Sequence, residues 1–288
     1  MNLNQLRHFY TVICQGSFSK AAEALFVSQP AISKSVNELE GYLGMALVER
    51  ASRGKELRLT EHGKVLFHYA RSIFALEQAA SNEMLARQKL QQGTLTIGLS
   101  PTIANYCSAD IIAAFMQRYP EIVLDVVVES THRLCEQLID CQLDLALVEG
   151  GDIDSTIFTS TQWKMDPMVI VAKAPLHMDQ LNEQTWLLRE SGSMTRNMMN
   201  ALLTSHGITP QRIIEVGSNE AIANYIKQGI GISLLPKVVI QDLLDLAQLT
   251  VITEQDSLYR ELRWIRCHER PLSPAAQAFH QLLFQHQT

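Results

Sequence analysis

Gln29, Ser33, Lys34 and Asn37 are spaced so that a helix would set all four on one face. Amide, hydroxyl and ammonium groups on the N-terminal half of a helix are the groups that read base edges in a DNA major groove. The opposite face of the same stretch carries Ile32, Val36, Leu39 and Leu43, an apolar stripe that needs a core. Ser28 is placed to cap this helix. Pro30 sits in its first turn, where a missing N–H costs nothing. A shorter helical pattern from about Ser19 to Leu25 precedes it, with Ser17 or Ser19 as its cap and Phe26-Val27 as the break. The pair reads as a helix-turn-helix. The same spacing also fits a two-helix hairpin with a solvated polar face, and spacing alone does not separate the two.

A second set of polar residues sits where apolar strands give way to helices. Ser100 ends TLTIGLS with Thr102 two residues on, Ser130 and Thr131 follow the run 123–128, and Glu149 and Gly150 end LDLALVEG. Gly192, Ser193, Thr195 and Arg196 follow TWLLRE, while Ser218 and Asn219 follow IIEVG. Ligands of open α/β sheets bind beyond the carboxyl ends of strands, where helix N-termini present free N–H groups to anions. Taken singly, each residue is as well explained as a helix cap. Arg196 would be the charge partner, since a guanidinium holds carboxylate, sulfite or phosphate in a fork. Glu149 is the awkward member. Ionised, it repels an anion, so it must pair with Arg196 or hold a proton and donate it.

The periods along the chain predict the elements that position these groups. Residues 2–14 form an amphipathic helix with Leu3, Leu6, Phe9, Tyr10 and Ile13 on its apolar face, ended by Gly16. Beyond the recognition helix, Arg50, Arg53, Lys55 and Arg58 fall in a short Gly-containing segment, and Leu57 to Thr60 alternates like a strand. This is a basic β-hairpin wing, with Arg50, Arg53 and Lys55 on or near phosphates. Residues 61–91 carry one long helical pattern. Leu66, Tyr69, Ile73, Leu76 and Ala80 follow steps of three and four, a seam for pairing with another helix and hence for dimerisation. After Gly93 the period changes. Strands at 94–100, 123–128, 143–149, 168–172, 212–216, 231–235 and 262–267 alternate with helices at 104–119, 134–140, 195–206, 219–228, 236–246 and 274–285. That alternation means an α/β domain with a parallel sheet. The fold class is therefore multidomain, an N-terminal winged helix-turn-helix followed by a linker helix and an α/β domain.

The run AAEALFVSQPAISKSVNELEGYLGMALVERASRGKELRLTEHG resembles the DNA-binding segment of LysR-type transcriptional regulators. Ala21-Ala22, LFVSQPAI at 25–32, Leu39-Glu40, Leu43-Gly44, the stretch 47–50 and Leu59-Thr60 before Gly63 carry the match. Where the family pattern has Phe at 48 and Arg at 34, this chain has Val48 and Lys34. An ammonium at 34 lacks the bidentate fork that reads guanine. LDLALVEG and GIGISLLP match looser landmarks of the family's effector region.

The resemblance implies a head at 1–60, a dimerisation helix at 61–92 and a two-lobed, periplasmic-binding-protein-like effector domain at 93–288. Lobe one would take 93–162 and 267–288, and lobe two 163–266. It further implies homodimers or homotetramers, duplex DNA as partner, and a small-molecule effector between the lobes, where the strand-end residues named above would converge. LLRESGSMTR and GSNEAI look closest to a subgroup that includes regulators of sulfur and carbon assimilation, which respond to small anions or phosphorylated metabolites. The alternative is a solute-binding protein with no transcriptional role.

Composition narrows the classes. The chain has 288 residues and a net charge of −6. Residues 1–92 hold 11 Lys and Arg against 8 Glu and no Asp, a net of +3, so the remainder carries −9. A basic head on an acidic body suits a DNA reader whose second part stays off the phosphates. No stretch reaches the roughly 18 apolar residues of a membrane span, and the N-terminus is too polar for a signal peptide. Five cysteines without a C-x-x-C pair suit reduced thiols in a bacterial cytoplasm, buried structural Cys being the simpler reading than a redox switch. Nine His lack metal spacing, and no phosphate-loop, zincin or nucleophile-elbow motif occurs. The expectation is a regulator and not an enzyme, with no metal and no cofactor beyond its effector.

Overall fold

The computed structural model describes residues 1–49, 57–88, 93–151, 153–252, 258–268 and 270–285. It divides into two compact units, Met1–Arg87 and Gln88–Thr288.

In the first unit, α1 (Leu3–Gln15), α2 (Phe18–Ala24) and α3 (Gln29–Leu43) are followed by a two-stranded ribbon of β1 (Val48–Glu49) and β2 (Arg58–Leu59), and then by α4 (Glu61–Gln88). Each early helix starts at a residue that can cap it. Asn2 and Gln5 form a capping box on α1, and the Ser17 hydroxyl accepts from Lys20 N. Ser28 takes the cap position of α3 with no capping bond from its side chain. Leu6, Phe9, Val12, Ala21, Ala22, Ile32, Val36, Leu39, Leu47, Val48, Ala70 and Phe74 form one core, while Leu3 lies outside it, exposed. The Glu40 carboxylate accepts from Leu47 N at 2.7 Å and Val48 N at 3.2 Å, fixing the ribbon to the recognition helix. A Cβ at Gly63 would lie 2.0 Å from Leu47 O, so only glycine lets α4 pass the ribbon so closely. Arg7 closes the unit, bonding both Glu77 oxygens at 2.7 Å over the Phe74 ring.

Leu66, expected in the seam, instead packs partly buried against this core with Phe67, because α4 turns its 67, 70 and 74 face inward. Its exposed apolar stripe is Val65, Tyr69, Ile73, Leu76 and Met84, with Ala80 on the same face.

The second unit begins with β3 (Gly93–Leu99), α5 (Pro101–Tyr106), α6 (Ala109–Arg118), β4 (Ile122–Val128), α7 (Thr131–Ile139) and β5 (Leu145–Glu149). One long strand, β6 (Phe158–Ala172), leads to β7 (Thr185–Leu188), α8 (Met194–Ser205), β8 (Arg212–Glu215) and α9 (Asn219–Lys227). The chain ends with β9 (Ser233–Pro236), α10 (Lys237–Asp245), β10 (Thr250–Val251), β11 (Leu258–Cys267) and α11 (Pro274–Gln285). The helix expected over 104–119 is two helices. The Ser108 hydroxyl donates back to Ala104 O at 3.1 Å, an alternative to the helical ladder that breaks it there.

The main sheet has the order β10-β6-β11-β5-β3-β4, with β9 also on β6. β3 pairs in parallel with β4 and β5, whereas β6 and β11 are antiparallel and run through both lobes as a hinge. In the first lobe α5, α6 and α11 cover one sheet face around Phe115, Phe279, Trp163 and Trp264, and α7 covers the other with Leu134 and Leu138. In the second, Trp186 is fully buried and donates Nε1–H to Leu181 O at 2.9 Å. A Cβ at Gly231 would lie 2.2 Å from Thr185 O, the close approach that lets Ile232 bridge to Trp186. Residues 262–265, expected in lobe two, pair with β5 and pack Leu262, Trp264 and Ile265 into the first-lobe clusters. The strand crosses between lobes nearer Arg260.

Candidate functional site

Two surfaces carry the candidate residues, one in each unit. On α3, Ile32, Val36 and Leu39 are buried, which turns Gln29, Pro30, Lys34 and Asn37 to solvent with Ser28 beside them; Ser33 is half-buried. The face is only lightly tied to itself. Gln29 Nε2 donates to Ser33 Oγ at 3.0 Å, and Lys34 meets Glu38 at 3.9 Å across an exposed turn. Arg50, Arg53 and Lys55 lie outside the described residues. In the sequence Phe26 reads only as part of the break between the two helices. Its backbone is left-handed (φ 55°) and its ring is 95% exposed at the start of the recognition helix. An aromatic edge there can meet a thymine methyl. The signal was a large apolar residue at a turn that no core claims.

The second surface lies between the lobes, where β3, β5, β6 and β11 meet the starts of α5, α8 and α9. Arg260 is its centre, 2% exposed. It faces Asp166 across the hinge strands and donates Nε–H to it at 2.7 Å. Its Nη1 donates to Thr195 Oγ1 at 3.2 Å and stands 3.5 Å from Glu149. Glu149 also accepts from Thr131 Oγ1 at 3.4 Å, and Asn219 Nδ2 reaches Thr102 Oγ1 at 3.4 Å from the other lobe. Burial lifts the Asp166 carboxyl above its ordinary range, and the adjacent Arg260 only partly offsets this. Ser100 Oγ, Asn219 Oδ1 and Arg260 Nη2 are buried with no hydrogen-bond partner among the described residues. Buried polar atoms are normally bonded, so three orphans at one cleft leave hydrogen-bonding capacity that the described residues do not fill. Asn105 and Glu220 add a second cross-lobe bond at 3.3 Å.

The structure thus brings Ser100, Thr102, Thr131, Glu149, Thr195 and Asn219 together. Ser130, Ser193 and Ser218 act as caps, accepting from Arg133 N, Arg196 N and Ala221 N. Arg196 is not brought into this cluster. Its guanidinium bonds Arg189 O at 2.7 Å, Glu215 at 3.2 Å and Asn200 at 3.2 Å, all within lobe two. Glu149 therefore pairs with Arg260, on a strand 111 positions further on in the numbering, and not with Arg196.

Among the described residues no three His, Cys, Asp or Glu stand close enough to hold a metal ion, and no helix is long and apolar enough to cross a membrane. All five cysteines are free thiols. Burial raises Cys135 and Cys267 to about 11, which leaves little reactive thiolate.

Residues 3–64 match the family described as bacterial regulatory helix-turn-helix protein, lysR family, and residues 88–288 match the LysR substrate binding domain. YeiE of Escherichia coli K12, an uncharacterized HTH-type transcriptional regulator, is 34% identical over 287 residues, covering 97% of this chain and 96% of that protein. A RuBisCO operon transcriptional regulator of Allochromatium vinosum is 30% identical over 294 residues, covering 98% and 95%. The structure of full-length CbnR complexed with its target DNA superposes with a TM-score of 0.67 at 19% identity, covering 99% of each chain.

Proposed function

Because this chain belongs to the LysR family of transcriptional regulators, we infer that it reads an operator through α3 and answers a small polar effector held between the lobes of its second unit. The match over residues 3–64 sets aside a solute-binding protein without a transcriptional role. It is a DNA-binding regulator and not an enzyme. Two copies pair along the exposed stripe of α4, in the bacterial cytoplasm where the operator is.

The observation that carries the effector reading is the set of orphaned buried atoms around Arg260. Arg260 Nη2 asks for an acceptor. Beside it, Glu149 and Asp166 are two carboxylates against one cation, so a fully ionised oxyanion meets a repulsive wall. A small oxyanion that still carries a proton, or a carboxylate with a hydroxyl, offers the acceptor to Arg260 and Ser100 and a donor to Glu149. The test is a thermal-shift screen of such anions on the whole protein, followed by operator binding with and without each hit. A folded-state ligand raises the melting temperature by mass action. A hit that stabilises the protein equally in wild type and Ser100→Ala, and leaves operator binding unmoved, would place the effector elsewhere.

A further inference from the structure

We propose that the hinge carries a second ligand pocket, on the face of its strands away from the polar cleft, suited to an uncharged, largely apolar compound. Side chains alternate along a strand. On β11, Leu262 and Trp264 turn to the first-lobe core and Arg260 shares their face, whereas Ile265 turns to the opposite cluster under α7. Tyr259, Glu261 and Arg263 share that second face and line a cavity of about 740 Å³. Arg260, on the strand between, borders both sites.

The walls come from both lobes. Ile153 and Phe158 belong to the first, and Met194 and Met198, one turn apart on α8, to the second. Thioether side chains adapt to the outline of a guest, and a volume in the range of ~300–1,000 Å³ suits a metabolite-sized one. The described charges are already matched. Arg263 pairs with Glu261 and donates Nε–H to Ser160 Oγ at 2.7 Å, and Arg260 is held by Asp166. Each charge among the described lining residues has an opposite partner, and the one open donor, Arg260 Nη2, is the atom assigned above to the effector of the cleft, so the guest is neutral. It would touch Ile153 and Met194 together and so favour one lobe angle. It shifts the regulator only by its difference in affinity for the two lobe arrangements. The pocket is then a second input, chemically unlike the effector of the cleft.

Nile red, an uncharged planar dye whose emission moves with polarity, tests this on the full-length protein. The expected result is saturable, blue-shifted binding with one dye per chain and a rise in melting temperature. Gly151 is open to substitution from within the pocket, because a Cβ there meets only Met194 Sδ, at 3.4 Å. Gly151→Phe would put a ring into the cavity and should weaken the dye by ~10-fold or more, while abolishing the thermal shift. Met198→Lys, which sets a charge in the wall, should act alike and stands in if Gly151→Phe fails to fold. Dye binding that both folded variants retain at wild-type affinity, or no saturable binding by the wild type, overturns the proposal.

Discussion

The two functional faces of this chain are opposites in solvation. On α3 the residues that would meet DNA stand in water, and their few bonds are exposed ones. In the cleft Arg260, Asp166 and Thr195 are buried and bonded together, as are Thr102 and Asn219, across five elements and two lobes. A base-reading face exchanges water for base edges on binding, so its groups must be free to turn. A cleft for a small polar molecule must be organised in advance, because a mobile guanidinium would cost entropy at each binding event. Substitutions on α3 should therefore weaken binding without touching stability. Substitutions at the cleft should damage both.

The largest break in that contrast is Arg260→Met. Removing one partner of a buried pair leaves Asp166 uncompensated, a loss of ~3–5 kcal/mol. Arg196→Ala removes a pair whose Glu215 partner is 58% exposed, worth ~0–1 kcal/mol in such settings. Chemical denaturation of the two variants should separate them clearly. An Arg196→Ala protein that loses more stability and effector response than Arg260→Met would return the cation's role to Arg196.

That pair of residues also shows what was legible beforehand. The head could be read because its motif is contiguous. Caps, stripe and break fall within 34 residues, and local periods dictate local structure. The joints of the cleft were legible for the same reason, since each strand end is a local event. Which joint residues turn inward was not. Ser130, Ser193 and Ser218 cap helices, while Ser100 and Thr195 look into the cleft, and the difference depends on neighbours far along the chain. Arg260 was invisible because it lies mid-strand, among alternating residues where an arginine reads as the solvated face. Only the register with Asp166 on β6 puts it inside. Leu66 failed in the same way, since a period of three and four fits both an outward seam and an inward core.

The next prediction sharpens the contrast within the first unit. Ile73 sits on the exposed stripe of α4, whereas Phe74, one residue on, belongs to the head core. Ile73→Glu would bury an unpaired charge if two copies pair there, at a cost of several kcal/mol. Light scattering should show monomers, and circular dichroism an intact head. Wild-type assembly at micromolar concentration in Ile73→Glu would remove the seam from the dimer.

Gln29→Ala comes after it in size. Losing the bidentate amide should cost ~1–3 kcal/mol at one base pair of each half-site. Stability should stay within ~0.5 kcal/mol, as for surface changes away from special features. Anisotropy on a set of operator variants measures the first and thermal unfolding the second. A Gln29→Ala protein that discriminates that base pair as well as wild type would mean another residue reads it.

The smallest effect lies at the rim between the lobes. Glu220 accepts from Ser218 Oγ at 2.7 Å within its own lobe, and from Asn105 Nδ2 and the Tyr106 hydroxyl in the other. Burial pushes its carboxyl up, but these bonds and its own backbone N–H outweigh burial and hold it below its ordinary value of 4.5. A carboxyl whose folded pKa is depressed contributes stability that is present above the unfolded value and lost as pH falls through the folded one. Wild type should therefore melt above Glu220→Gln at neutral pH, by only ~1–2 °C for a half-buried group at the rim of a domain of this size. The gap should close below about pH 4.5, where the wild-type carboxyl takes up its proton. Since two of the bonds cross between lobes, the same variant should loosen the cleft, and its effector affinity should fall more than its stability. Equal melting temperatures at neutral pH with an unchanged effector affinity would make this contact incidental to closure, and would leave the Arg260 cluster and the Asn219–Thr102 bond as the ties between the lobes.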